Sequence, residues 1–88
     1  MKLVILYRPN SEHSTLVESF SERVLSAMPE AAIENVDIDS PEGIMELETY
    51  GIMQFPALLV LADSGLLVNS WVGDLMPPVE LVVDSLRK

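Results

Sequence analysis

Ser11-Glu12-His13-Ser14 is where this 88-residue chain places two hydroxyls three residues apart with its sole histidine between them. That grouping raises the chemistry of a serine nucleophile with a histidine base. Such a nucleophile also needs a carboxylate to orient the base and donors for the oxyanion. A histidine between the two serines on the same turn diverges from at least one of them. The residue types suit a helix start better: a serine N-cap accepts a backbone N–H and contributes about 1 kcal/mol. Thr15 and Glu18 fit the Ser/Thr-x-x-Glu capping box. His13 with Glu12 falls short of the three or four ligands of a metal site, so His13 is expected to be a solvent-exposed side chain. Asp37, Asp39 and Glu42 bring carboxylates together, but without the glycine-bearing, regularly spaced loop that calcium requires. With no cysteine, the chain has no thiolate for zinc, for an iron–sulfur cluster or for a disulfide. No metal and no cofactor are expected.

The elements that would position these residues follow from periodicity and punctuation. Leu3 to Tyr7 is a continuous apolar run, as expected of a strand covered on both faces. Arg8-Pro9-Asn10-Ser11 breaks it. Leu16, Val17, Phe20, Val24, Leu25 and Met28 follow at helical spacing, and Pro29 ends that helix. Ala32 to Asp39 alternates, with Ile33, Val36 and Ile38 apolar, which suits a strand toward a sheet edge. Ser40-Pro41 is a helix start with Ser40 as N-cap. The short helix carries Ile44, Met45, Leu47 and Tyr50, and Gly51 closes it. Ala57 to Leu61 is a strand, Asp63-Ser64-Gly65 a hairpin turn, and Leu66 to Val72 its antiparallel return. Pro77-Pro78 leads a last helix whose Val79, Val82, Val83 and Leu86 can face the sheet. The order is β-α-β-α-β-β-α over residues 1–88, read as a single domain with a mixed sheet and helices on its faces.

The balance of charge is acidic: 14 carboxylates against 5 lysines and arginines, a formal net charge of −9. Such a surface repels phosphate backbones and anionic membranes, so neither nucleic acid nor a membrane is an expected partner. No apolar run approaches the roughly 20 residues that span a bilayer. Met1-Lys2-Leu3 to Tyr7 has the outward look of a secretory leader. It is cut off by Arg8-Pro9-Asn10 with no small-residue cleavage site after it. It is expected to be a buried strand of a protein that stays in the cytoplasm.

Three segments carry a family resemblance. Tyr50-Gly51-Ile52-Met53-Gln54-Phe55-Pro56, running into Ala57-Leu58-Leu59-Val60-Leu61, is similar to the thioredoxin segment in which a tyrosine-glycine helix end leads to a cis proline and a buried strand. Asp63-Ser64-Gly65, then Leu67 to Gly73, resembles the hairpin and strand-terminal glycine that follow it. Tyr7 to Ser14 opens the first helix where thioredoxins and glutaredoxins place Cys-x-x-Cys, and here the frame is Ser11-x-x-Ser14. Together with the element order, these segments identify the chain as resembling the thioredoxin-like superfamily, with an α/β, four-stranded mixed sheet.

The resemblance implies a cis Phe55–Pro56 bond and a peptide groove lined by Arg8, Ser11, His13, Ser14, Gln54, Phe55, Pro56, Trp71, Gly73 and Asp74. Phe55, Trp71, Met53 and Met76 are the apolar residues weighed for it, against ordinary packing. The departures decide the expected chemistry. Thiol–disulfide exchange needs a thiolate, favoured at a helix N-terminus, and a serine hydroxyl supplies none. The family's buried acid on the first strand is replaced by Ile5. Arg8 is the lone basic residue near the site, a poor match for the carboxylates of glutathione. The expectation is a redox-inactive protein- or peptide-binding module. The alternative is a thiol–disulfide oxidoreductase whose active cysteines were replaced by serine.

Overall fold

The computed structural model describes residues 1–73 and 75–88. Its elements are β1 (Lys2–Tyr7), α1 (Ser14–Ala27), β2 (Ile33–Asp37), α2 (Pro41–Tyr50), β3 (Ala57–Leu61), β4 (Leu67–Val72) and α3 (Val79–Arg87). The strands form one sheet in the order β2-β1-β3-β4. β1 runs parallel to β2, with Leu3 opposite Ile33 and Tyr7 opposite Asp37. It runs antiparallel to β3, with Leu6 opposite Ala57, and β3 is antiparallel to β4.

The period-2 alternation of side chains, with both faces covered, explains why β1 is apolar at every position from Leu3 to Tyr7. Leu3, Ile5 and Tyr7 join Val17, Phe20 and Val24 of α1 and Val82, Val83 and Leu86 of α3 in one core layer. Val4 and Leu6 point the other way, into a layer with Val36, Ile38, Ala57, Leu59 and Leu61, against which Leu47 and Tyr50 of α2 pack. Two helices thus cover one face and one helix the other.

Each helix shows how pattern becomes packing. In α1 the buried apolar residues are Val17, Phe20 and Val24, while Leu16 and Leu25 lie on the flanks, 38% and 42% exposed. The expected capping of α1 is not what forms. The N-cap position is His13, no side chain caps the helix, and the Thr15–Glu18 box is not made. The hydroxyls act as donors instead: Ser11 Oγ donates to the Arg8 carbonyl, and Ser14 Oγ donates to the Ser11 carbonyl at 2.9 Å. Asn10, at φ 63°, makes the left-handed step that asparagine tolerates.

The α2 signals appear as the sequence predicts. Ser40 Oγ accepts the Gly43 N–H at 3.0 Å and donates to the Asp37 carbonyl at 2.6 Å. Gly51 closes the helix at φ 64°. Replacing Ser40 with alanine removes both bonds, and thermal melts should show a loss of about 1 kcal/mol. An unchanged melting temperature would contradict the cap. The inward side of α2 is set by Gly43, Leu47 and Tyr50, with Ile44 and Met45 exposed. In the hairpin, Val60 pairs with Asn69 but Leu61 pairs with Leu67, so Val68 is the extra residue of a bulge.

Candidate functional site

The strand register gathers one end of the sheet. Leu6 lies opposite Ala57, and Ala57 lies opposite Val72. The chain segments after β1, before β3 and after β4 therefore meet at the same edge of the molecule. The Phe55–Pro56 peptide is cis, and Pro56 is buried. The Gly73 N–H donates to the Pro56 carbonyl at 2.9 Å. Gly73 has φ 98°, and the position its Cβ would take is 3.7 Å from Gln54 Oε1, so the Gln54 side chain lies alongside it. Gln54, Pro56 and Gly73 are thus brought together.

The segment after β1 forms the second half of the site. The Arg8 N–H donates to His13 Nε2 at 3.1 Å, and the His13 ring lies 6.3 Å from that of Tyr7, centroid to centroid. His13 is consequently half-buried and fixed, not the solvent-exposed histidine that its polar neighbours suggest. Its Nε2 lone pair is occupied by a backbone donor, and both serine hydroxyls are committed to carbonyls. The three residues do not form a nucleophile–base relay.

Arg8 is committed too. Its Nε and Nη2 donate to Asp39 Oδ2 and Oδ1 at 2.9 and 3.3 Å. This hydrogen bonding, with the charges of Asp39 and Asp37, holds the guanidinium above its ordinary range. Asp37 Oδ1 accepts the Asp39 N–H at 2.8 Å, so these carboxylates serve a turn and an ion pair. Among the described residues there is no group of three or more histidine or carboxylate side chains able to hold a metal ion.

The two aromatic residues expected to line the groove lie on different layers. Phe55 packs against the α2-side layer that contains Leu6 and Ala57, whereas Trp71, opposite Leu58, packs with the α1–α3 layer, as does Met76. Both rings are half-buried, so each serves packing and presents only part of its surface. Asp74 lies outside the described residues. The rim contributes two apolar side chains in the open: Met53 is 89% exposed and Leu75 is 92% exposed. Leu75 escapes a sequence reading because nothing in its neighbourhood has a period. The Arg8–Asp39 pair escapes it because 31 residues separate the partners, joined in space by the parallel β1–β2 register.

Solved structures with the same arrangement are thioredoxins. Thioredoxin O2 from Arabidopsis thaliana superposes with a TM-score of 0.75 at 18% identity, over 99% of this chain and 75% of its own. Thioredoxin from Fasciola hepatica gives 0.75 at 17% identity, over 96% and 78%. Thioredoxin from Trypanosoma brucei brucei gives 0.72 at 17%, over 98% and 71%. The chain has the thioredoxin fold, in a form without cysteine. No protein-family model matches the sequence, and no curated protein matches it.

Proposed function

We propose that this chain is a redox-inactive, cytoplasmic thioredoxin-like module that binds an extended protein or peptide segment at the sheet end that carries Ser11–Ser14, Gln54–Pro56 and Trp71–Gly73. The observation that carries the proposal is the pairing of a retained scaffold with committed hydroxyls. Serine stands at both positions of the redox frame, and each hydroxyl is spent on a backbone carbonyl. The glycine–proline contact at the same end of the sheet is intact. A serine cannot replace the thiolate in disulfide exchange, while exposed Met53 and Leu75 offer apolar surface for side chains of a bound segment. Among the described residues no helix is long and apolar enough to cross a membrane, and β1, the strand that resembles a leader, is built into the middle of the sheet.

The test is a titration of isotope-labelled protein with a panel of extended apolar peptides. Amide shifts should concentrate at Gln54, Phe55, Trp71 and Gly73, and Phe55→Asp should weaken binding by about tenfold, the loss of one buried apolar anchor. Shifts confined to another face of the sheet would reject the groove. Reduction of insulin by the chain above a dithiothreitol background would reject redox inactivity.

A further inference from the structure

The sheet has two edges, and they are finished differently. β4 carries its own protection. Asn69 turns its side chain back so that Oδ1 accepts the Ser70 N–H at 2.9 Å, while Nδ2 donates to Ser85 Oγ of α3 at 3.2 Å. The bulge at Val68 also twists that strand away from a straight ladder.

On β2, Asn35 Oδ1 accepts the Ser21 hydroxyl of α1 at 3.2 Å, but among the described residues no side chain bonds to the outward backbone of Ile33 or Asn35. The even-numbered residues of β2 face β1: the Ala32 carbonyl accepts the Leu3 N–H, and the Ile38 N–H donates to the Tyr7 carbonyl. In a parallel ladder the alternate residues point outward, which leaves Ile33, Asn35 and Asp37 with their backbone groups toward the open edge. Of these, the Asp37 carbonyl is used by Ser40. The groups of Ile33 and Asn35 and the Asp37 N–H have no partner strand among the described residues.

The charges around this edge are mostly acidic. Between Arg23 and Arg87 the sequence holds eleven of its 14 carboxylates and no lysine, arginine or histidine. Glu34, Asp37 and Asp39 lie on or beside β2. The helix carrying Glu42, Glu46 and Glu48 is pressed onto it, with Gly43 against the Asp37 carbonyl and the Ile38 Cα. The two cations within reach, Lys2 and Arg8, are each paired with one carboxylate, Glu34 and Asp39.

We infer that the open edge of β2 is a docking site for an extended, lysine- or arginine-rich segment of a partner protein, added to the sheet as a fifth strand. Backbone pairing with Ile33, Asn35 and Asp37 supplies the register, and the carboxylates of β2 and α2 supply the choice of partner. A second copy of this chain is the wrong occupant, because pairing β2 with itself would crowd the acidic side chains of both copies along one seam. The site is separate from the groove and does not depend on it.

The probe is a short peptide alternating lysine and valine, titrated into isotope-labelled protein. Amide shifts should centre on Ile33, Asn35 and Asp37. Raising the ionic strength from about 0.01 M to about 0.15 M shortens the screening length from about 30 Å to about 8 Å, and affinity should fall by about tenfold. The same peptide N-methylated on alternate residues keeps its charge and cannot pair, and should bind at least about tenfold more weakly. Asn35→Pro, which removes an outward N–H and leaves the β1 ladder intact, should have the same effect, with the Gly43 and Trp71 resonances reporting that the fold persists. Equal binding of the N-methylated peptide would reduce the site to charge attraction and overturn the inference. So would equal binding of a glutamate–valine peptide, or an absence of shifts. Shifts centred on Phe55 and Gly73 would also overturn it while supporting the groove.

Discussion

Gly43→Ala should destabilise the protein by about 2–3 kcal/mol and lower its melting temperature by on the order of 10–20 °C, using roughly 4–8 °C per kcal/mol for a domain of this size. In an ordinary exposed helix the same change is favourable by about 1 kcal/mol. The sign reverses here because the helix backbone rests directly on β2. A Cβ at Gly43 would stand 2.1 Å from the Asp37 carbonyl oxygen and 2.9 Å from the Ile38 Cα. Both are backbone atoms, so no rotamer change relieves the overlap. Either α2 lifts, opening the layer beneath Leu47 and Tyr50, or the turn that carries Asp37 and Asp39 shifts. Thr49→Ala, at an exposed position of the same helix, is the control and should be neutral or slightly stabilising. A Gly43→Ala melting temperature at or above that of the parent would show that α2 does not sit this close.

The second large effect is expected at Phe20. It is fully buried, one of the largest side chains with no exposure, and belongs to the layer joining β1, α1, β3 and α3. Truncation to alanine should cost about 3–5 kcal/mol, a large share of the roughly 5–15 kcal/mol that holds an ordinary domain together. Leu16, four residues earlier and apolar in the same helix, is 38% exposed, and Leu16→Ala should cost well under half as much. Denaturant unfolding of the two variants reads the contrast directly. Similar losses would place the core on a different side of α1.

These two positions show what was legible in the sequence. The order of elements and the antiparallel β3–β4 hairpin were readable because proline, glycine and serine punctuate the chain. The switch from a continuous apolar run to helical spacing is also clear around Tyr7 and Leu16. Orientation within an element was less legible. The apolar pattern of α2 gives weight to Ile44 and Met45, yet its closest approach to the sheet is made by a residue with no side chain. In α1, Leu16 and Leu25 fit the helical period and still lie on the flanks.

At the candidate site, residue type left the direction of each bond open. A serine hydroxyl both accepts and donates. Whether Ser11 caps a helix or donates to a carbonyl depends on where the end of β1 places Arg8. The same holds for His13, whose partner is a main-chain N–H that no side-chain pattern records. Phe55 and Trp71 read as neighbours along one groove, but the pleat sends them to opposite layers, because each follows the parity of the strand beside it.

The central place of β1 bears on how the chain is assembled during its synthesis. β1 needs partners on both sides, and its antiparallel partner β3 is about fifty residues further along, Leu6 pairing with Ala57. At roughly 5–20 residues per second, β1 therefore waits several seconds on the ribosome with its most apolar stretch only half enclosed. The parallel unit β1-α1-β2 can close first, and its α1 covers one face of the waiting strand. The other side is sealed only when Ala57–Leu61 emerges, so the Pro56 end of the sheet is built late.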